Sequence, residues 1–96
     1  MNEPSRITYR VLITGHVQGV CFRDWAKSKA NQLGIAGRVR NRKEGSVEAV
    51  ISGSREHIEE ILLAFENGPP AAKVESIQVN LHRPPQVLSF YQRSTL

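Results

Sequence analysis

The residues best suited to chemistry form one glycine-containing stretch, Gly15 to Arg23, which reads Gly-His-Val-Gln-Gly-Val-Cys-Phe-Arg. Its glycines, Gly15 and Gly19, permit positive φ and close backbone approach, so successive N–H groups can converge on one anion at the start of a helix. Arg23 adds a planar fork of donors that stays charged near neutral pH and suits two oxygens of one phosphate. The pattern therefore predicts a cradle for an oxyanion.

The same spacing leaves other interpretations open, because most glycine-rich turns between a strand and a helix bind no ligand. The stretch matches neither the nucleotide-binding loop nor the Gly-x-Gly-x-x-Gly of dinucleotide-binding folds, which disfavours ATP and NAD. A covalent phosphatase holds its thiolate inside the loop, whereas only Phe22 separates Cys21 from Arg23. We therefore expect Cys21 to be a small buried side chain, the usual state of a free cysteine, and not a nucleophile.

Two further patterns flank this stretch and predict the elements that hold it. From Ile7 to Thr14 apolar and polar residues alternate, which is typical of a half-buried strand. From Phe22 to Leu33 apolar residues recur at helical spacing, and Gly34 can take the left-handed conformation that ends a helix. The stretch is therefore expected to connect a first strand to a first helix.

The remainder of the chain predicts three more strands and a second helix. Gly37–Asn41 and Ser46–Ser52 are expected to form a hairpin. Ser54 is a natural N-cap for a helix that ends at Gly68. The alternation from Val74 to Leu81 then predicts a fourth strand.

The resulting βαββαβ order is that of the ferredoxin-like α+β sandwich, an antiparallel sheet with two helices on one face. After two prolines, Leu88 and Phe90 alternate with polar residues within Val87–Gln92. This alternation allows a short fifth strand at the C-terminus, on a sheet edge.

The same residues resemble those of a known family. The loop GHVQGVCFR, the segment GRVRNRKEGSVEAVISG from Gly37 to Gly53, and the Gly68-Pro69-Pro70-Ala71 turn are similar to acylphosphatase. The similarity runs from about Val11 to Val79, with the elements in the family's order. It implies a single acylphosphatase-like domain over residues 1–96 with the ferredoxin-like fold.

The resemblance also implies a reaction, the metal-independent hydrolysis of the carboxyl-phosphate bond of acyl phosphates to a carboxylate and inorganic phosphate. Because such anhydrides are already activated, positioning and charge stabilisation can supply most of the rate. Arg23 matches the family's Phe-Arg and would bind the phosphoryl oxygens, whereas Asn41 matches the Asn of Gly-x-Val-x-Asn and would orient the attacking water. The implied phosphate-binding residues are Gly15, His16, Val17, Gln18, Gly19, Val20, Cys21, Phe22 and Arg23.

Without the resemblance these residues have plainer interpretations. An Asn just before a hairpin is usually a turn former, and Arg23 alone is as well explained as a helix-surface arginine. His16 receives no catalytic role, since it suits an exposed position that contributes only its backbone. Arg38 stands where the family often has an aromatic residue, and the tail after Gln86 matches less well.

Composition limits the class of protein. Of 96 residues 40% are apolar, which suffices for one core, and no run is long enough to span a membrane. The opening Met-Asn-Glu-Pro-Ser-Arg lacks the apolar segment of a signal peptide, so we expect a cytoplasmic location, and we also expect a monomer. One cysteine and three scattered histidines, His16, His57 and His82, predict no metal, and the reaction that the resemblance implies needs no cofactor.

The basic charge leaves the type of anionic partner open. A net charge of +4 suits small phosphorylated ligands as well as nucleic acid. The densest basic cluster is interpreted as a solvated sheet edge that discourages strand addition, with substrate steering as the alternative. This cluster comprises Arg38, Arg40, Arg42 and Lys43.

Two rival functions use the same fold. RNA recognition motifs stack bases on aromatic residues of the central strands, where this sequence has Tyr9 alone. A non-catalytic anion-binding domain would keep the cradle and would not need Asn41. The resemblance implies a small-molecule acyl phosphate as the partner and inorganic phosphate as the product, and we expect neither nucleic acid nor membrane as a partner.

Overall fold

The chain folds into five strands and two helices in the computed structural model, which describes residues 6–86 and 89–95. The predicted βαββαβ order is confirmed, and a fifth strand follows it. Val87 and Leu88, which the sequence pattern assigned to this last strand, lie outside the described residues. The elements are β1 (Arg6–His16), α1 (Phe22–Gln32), β2 (Ala36–Asn41), β3 (Val47–Ser54), α2 (Arg55–Asn67), β4 (Lys73–Leu81) and β5 (Phe90–Gln92).

The strands form one sheet in the order β4-β1-β3-β2-β5. Strands β1 to β4 pair antiparallel, as predicted, whereas β5 pairs parallel with β2. The reason is topological: β4 runs opposite to β1 and ends where β1 and β2 begin, so the chain crosses the end of the sheet and starts β5 in the direction of β2. The edge strand therefore makes the sheet mixed.

The hydrophobic core lies between one face of the sheet and both helices, as the alternation and the helical spacing predict. Trp25 is partly buried at its margin, with its ring centroid 5.2 Å from that of Phe22. The buried strand residues include Val11, Ile13, Val39, Val47, Ala49 and Ile51, and the buried helix residues include Phe22, Ala26, Ala30, Ile58, Ile61 and Phe65.

Both ends of α2 follow the predicted signals. The Ser54 side chain accepts a hydrogen bond from the backbone N–H of His57 at 3.3 Å, which makes it the N-cap. Gly68 ends the helix at a φ of 69°, and its N–H donates to the carbonyl of Ala64. Within the described residues no helix is long and apolar enough to cross a membrane.

The opposite face of the sheet carries a buried carboxylate held by arginines. The Glu48 side chain is 7% exposed and accepts hydrogen bonds from Nε of Arg10 and, at 2.7 Å, from Nε of Arg40. Burial opposes ionisation, but these two hydrogen bonds outweigh it and lower the pKa of Glu48 below 4.5. The interpretation of Arg38, Arg40, Arg42 and Lys43 as a solvated sheet edge is wrong for Arg40, because its side chain is only 14% exposed and binds Glu48.

Candidate active site

The candidate site begins where β1 ends, two residues later than the sequence pattern indicates. Gly15 and His16 pair with Val74 and Lys73 of β4, after a register shift between Thr14 and Gly15. Gly15 has a φ of 125°, and a Cβ there would lie 2.2 Å from the carbonyl oxygen of Lys73. Gly15 therefore permits the close backbone approach that the sequence predicted, but in the sheet and not in the loop.

The loop that follows is anchored by buried side chains at both ends. Val17 is fully buried and Phe22 is 2% exposed, so each fills the core below the loop. Between them Gly19 has a φ of 75°, which confirms its expected positive value. The expectation of a buried Cys21 is wrong: it is exposed and stands at the N-cap of α1 with a φ of 62°, since its neighbours already fill the core.

The loop presents free backbone donors. In the part of the chain that the structure describes, the N–H groups from Gln18 to Arg23 donate to no protein acceptor. The first intrahelical bond runs from Trp25 to the carbonyl of Cys21. These donors therefore lie at the N-terminus of α1, where the helix dipole favours a negative charge.

A cavity of about 300 Å³ opens against this loop and contains both predicted catalytic residues, Arg23 and Asn41. Asn41 ends β2, and alternation with the buried Val39 places it on the helix side of the sheet. The remaining lining residues are Val17, Gln18, Gly19, Cys21, Phe22, Asp24 and Gln92. Of the sequence-predicted phosphate-binding residues, Gly15, His16 and Val20 are not part of this lining.

The Gln18 side chain fixes the loop to the hairpin that carries Asn41. Its Nε2 donates to the carbonyl of Arg42 at 2.7 Å and to that of Ser46 at 2.8 Å. Those two residues close the hairpin, since the Arg42 N–H also donates to the Ser46 carbonyl. Gln18 was predicted only as part of the loop, and its bridging role has no signal in the local sequence pattern.

The hairpin turn carries a second stabilised carboxylate. The Ser46 hydroxyl donates to Oε2 of Glu44 at 2.6 Å, and this hydrogen bond lowers the pKa of the Glu44 carboxyl. Arg42 lies between two acids, with Nη1 3.6 Å from Glu48. The turn after Asn41 is thus held by hydrogen bonds and charge pairs on both sides.

The C-terminal segment closes another side of the cavity. The sequence analysis did not predict this contribution to the site. Nη1 of Arg23 donates to the carbonyl of Arg93 at 3.4 Å, and the Gln92 amide donates to the Asp24 carboxylate. These contacts join residues about 70 positions apart and depend on β5 docking beside β2. Within residues 6–86 and 89–95 no group of three His, Cys, Asp or Glu comes together as a metal site.

Fold and site together define a class: a ferredoxin-like α+β domain with a polar cavity between its first loop and its second strand. The family model described as Acylphosphatase matches residues 9–91, most of the chain. The chain therefore belongs to the acylphosphatase family, and the resemblance that its motifs carry is confirmed.

Individual relatives agree with this assignment. The acylphosphatase of Acidiphilium cryptum (strain JF-5) is 42% identical over 89 residues, which cover 93% of this chain and 98% of the relative. The acylphosphatase of Rhizobium meliloti (strain 1021) is 49% identical over 67 residues, which cover 70% of each chain. The structure of an acylphosphatase from Coxiella burnetii is similar with a TM-score of 0.87 at 32% identity and covers 92% of this chain and 93% of that one.

Proposed function

We propose that this chain is an acylphosphatase that hydrolyses the carboxyl-phosphate bond of a small acyl phosphate in the cavity between the first loop and β2. One observation carries the proposal: Arg23, Asn41 and the loop residues Gln18, Gly19, Cys21 and Phe22, whose N–H groups donate to no described protein acceptor, line a single cavity of about 300 Å³. Charge, a water-orienting amide and oriented backbone donors are the components that this hydrolysis needs.

The phosphoryl group occupies the loop. Its oxygens accept hydrogen bonds from N–H groups of the loop residues that line the cavity, Gln18, Gly19 and Cys21–Arg23, and from the Arg23 guanidinium. Donors aimed at developing charge stabilise the transition state by about 3 kcal/mol each. Gly15, His16 and Val20 support the loop from outside the cavity lining and do not contact the substrate.

Asn41 orients the water. Its carboxamide accepts a hydrogen bond from the water and donates one to it or to a phosphoryl oxygen, which fixes the water in line with the departing group. The water oxygen forms a bond to phosphorus, the bond from phosphorus to the acyl oxygen breaks, and the carboxylate leaves with the electron pair. The water's protons pass to the phosphate product and the solvent, so no strong protein base is required.

Two substitutions separate these roles. Arg23→Gln is expected to weaken binding of inorganic phosphate and to lower kcat/KM by about 10³-fold, because it removes a charged donor from both ground and transition states. Asn41→Ala is expected to keep the affinity for phosphate within about twofold while kcat falls by about 10²-fold, since only the water loses its partner. Phosphate affinity is measured by calorimetry and turnover by release of phosphate from a synthetic acyl phosphate.

Matched controls use exposed residues of the same types, Arg55→Gln in α2 and Asn31→Ala in α1. Both are expected to behave like the wild type. If Asn41→Ala lost phosphate affinity as strongly as Arg23→Gln, the division of roles would be wrong. If the wild type bound phosphate but neither it nor the controls turned over an acyl phosphate, the chain would instead be an anion-binding domain without catalysis.

A further inference from the structure

A second cavity lies on the other face of the sheet, opposite the helices. It has a volume of about 390 Å³ and is lined by Arg38 of β2, Tyr91 of β5 and the segment 82–86 that follows β4. This volume falls within the range of small-molecule sites. The proposed acyl phosphate hydrolysis uses none of these residues.

Arg38 and Tyr91 are neighbours on this open face. The register of the parallel pair places them directly opposite each other on adjacent strands. Their chain neighbours Val39 and Phe90 are buried in the core, so strand alternation directs Arg38 and Tyr91 away from the helices. A guanidinium and a phenol ring thus stand side by side, about 5 Å apart at the backbone.

The segment 82–86 forms the facing wall. Its first residue, His82, is fixed by a backbone hydrogen bond from its N–H to the carbonyl of Thr8 at 3.1 Å. The His82 ring lies with Nδ1 2.8 Å from the carbonyl of Arg83, to which this nitrogen donates a hydrogen bond. Pro84 and Pro85 follow and give the wall a rigid apolar part.

The cavity has positive charge that the described protein does not neutralise. The one carboxylate that alternation places on the open face of β1, β2 and β3 is Glu48, and it already binds Arg10 and Arg40. Among residues 6–86 and 89–95, neither Arg38 nor Arg83 has a carboxylate within 4.0 Å. Two arginines, Arg38 and Arg83, therefore line one concave surface that has no acidic residue in its lining.

We propose that this cavity is a second ligand site, which binds a phosphate monoester carrying a planar ring, as in a nucleoside monophosphate. The planar guanidinium groups of Arg38 and Arg83 can each donate two parallel hydrogen bonds to phosphate oxygens. The Tyr91 ring and the two prolines provide the flat apolar surfaces on which a planar ring stacks. The site is separate from the Arg23 cavity, because the two open on opposite faces of the sheet, and the proposal does not depend on the acyl phosphate reaction.

The test is a titration of the full chain with AMP, followed by NMR of the backbone amides and the arginine Nε–H groups. AMP is expected to shift the resonances of Arg38, Arg83 and Tyr91 in a saturable way below about 10 mM. Arg38→Gln and Arg83→Gln are each expected to weaken this binding about tenfold, whereas Arg55→Gln, a matched loss of one exposed positive charge, leaves it unchanged. A dispersed amide spectrum shows that each variant is folded.

Two further ligands separate the contributions of charge and ring. Adenosine is expected to bind about tenfold more weakly than AMP, and inorganic phosphate to bind this cavity about tenfold more weakly, since each lacks one half of the ligand. Equal affinity for AMP and adenosine would overturn the role of the arginines, and equal affinity for AMP and phosphate would overturn the role of Tyr91. Shifts confined to Gln18–Arg23, no shifts at all, or an equal loss in Arg55→Gln would overturn the site.

Discussion

Among the single residues of the candidate site, Cys21 has the most strained backbone conformation. With a φ of 62° it is the one non-glycine residue at positive φ within residues 6–86 and 89–95. Such a conformation costs an L-residue about 1 to 2 kcal/mol. Strain of this kind gathers at functional loops, and here it lies where the chain turns from the loop into α1, in the lining of the cavity.

Removing the Cβ of Cys21 is therefore expected to stabilise the protein. Cys21→Gly should raise the free energy of unfolding by about 0.5 to 1 kcal/mol, because relief of strain exceeds the extra entropy of glycine in the unfolded chain. Cys21→Ala keeps the Cβ and should show no such gain. Urea unfolding of both variants measures the difference, and an equal gain in Cys21→Ala would show that the sulfur, not the backbone, is the source.

Sequence reasoning identified the pairing of Arg23 with Asn41 only through the family motifs. Local periodicity placed Arg23 in a helix and Asn41 before a turn, and nothing in either pattern brings the two into one cavity. Cys21 is expected to be buried because free cysteines usually are. It is exposed instead, because Val17 and Phe22 already fill the space below the loop. Which side chain turns inward depends on packing, which a residue's type does not reveal.

At the scale of elements, the joint between β1 and the loop depends on the absence of a side chain at Gly15. A Cβ at that position would meet backbone atoms of β4, 2.2 Å from the Lys73 oxygen and 2.8 Å from the Glu75 nitrogen. Backbone of a paired strand cannot move aside without breaking the β1–β4 register. At Gly19, by contrast, a Cβ would have no neighbour within 4 Å.

The two glycines should consequently differ in their response to alanine. Gly15→Ala is expected to lower the free energy of unfolding by about 3 kcal/mol through the clash with β4. Gly19→Ala is expected to lower the free energy of unfolding by about 1 kcal/mol, because alanine is strained at positive φ. Denaturant midpoints of the two variants give the comparison, and similar losses at both positions would contradict the close approach seen at Gly15.

Elements with local signals were predictable, including a short fifth strand at a sheet edge, but the pairing of that strand was not. Alternation in β1 and β4, helical spacing in α1 and α2, and the Ser54 cap each depend on residues close in sequence, so the sequence predicts them. The parallel pairing of β5 with β2, and with it the contact from Arg23 to Arg93, depends on a crossover of the whole sheet. The alternation in this segment indicates a strand, but it does not indicate which strand will be its partner or in which direction the two will pair.

At the scale of the whole molecule, the ion-pair cluster around Glu48 links three of the five strands. Its carboxylate on β3 joins Arg10 of β1 to Arg40 of β2 across the open face. The pKa of Glu48 is lower in the folded protein than its ordinary value of 4.5. The unfolded chain therefore binds more protons at acid pH, and the stabilisation is lost as the pH falls below about 4.5.

Replacing this carboxylate tests the cluster. Glu48→Gln should lower the free energy of unfolding at pH 7 by about 2 to 3 kcal/mol. This loss is smaller than that for breaking a fully buried ion pair, because the Arg10 side chain is 33% exposed and water screens the interaction. Its stability should also fall less steeply between about pH 5 and pH 3 than that of the wild type. Unfolding curves across this pH range check both expectations, and parallel curves for the two proteins would contradict the lowered pKa.

Hydrolysis of benzoyl phosphate by the wild-type chain in excess chelator is the direct test of the proposed reaction. We expect steady release of benzoate and phosphate in equal amounts, unaffected by the chelator and about 10³-fold slower in Arg23→Gln. Turnover in folded wild-type protein no faster than in Arg23→Gln would contradict the proposed activity, and so would turnover that required an added metal ion.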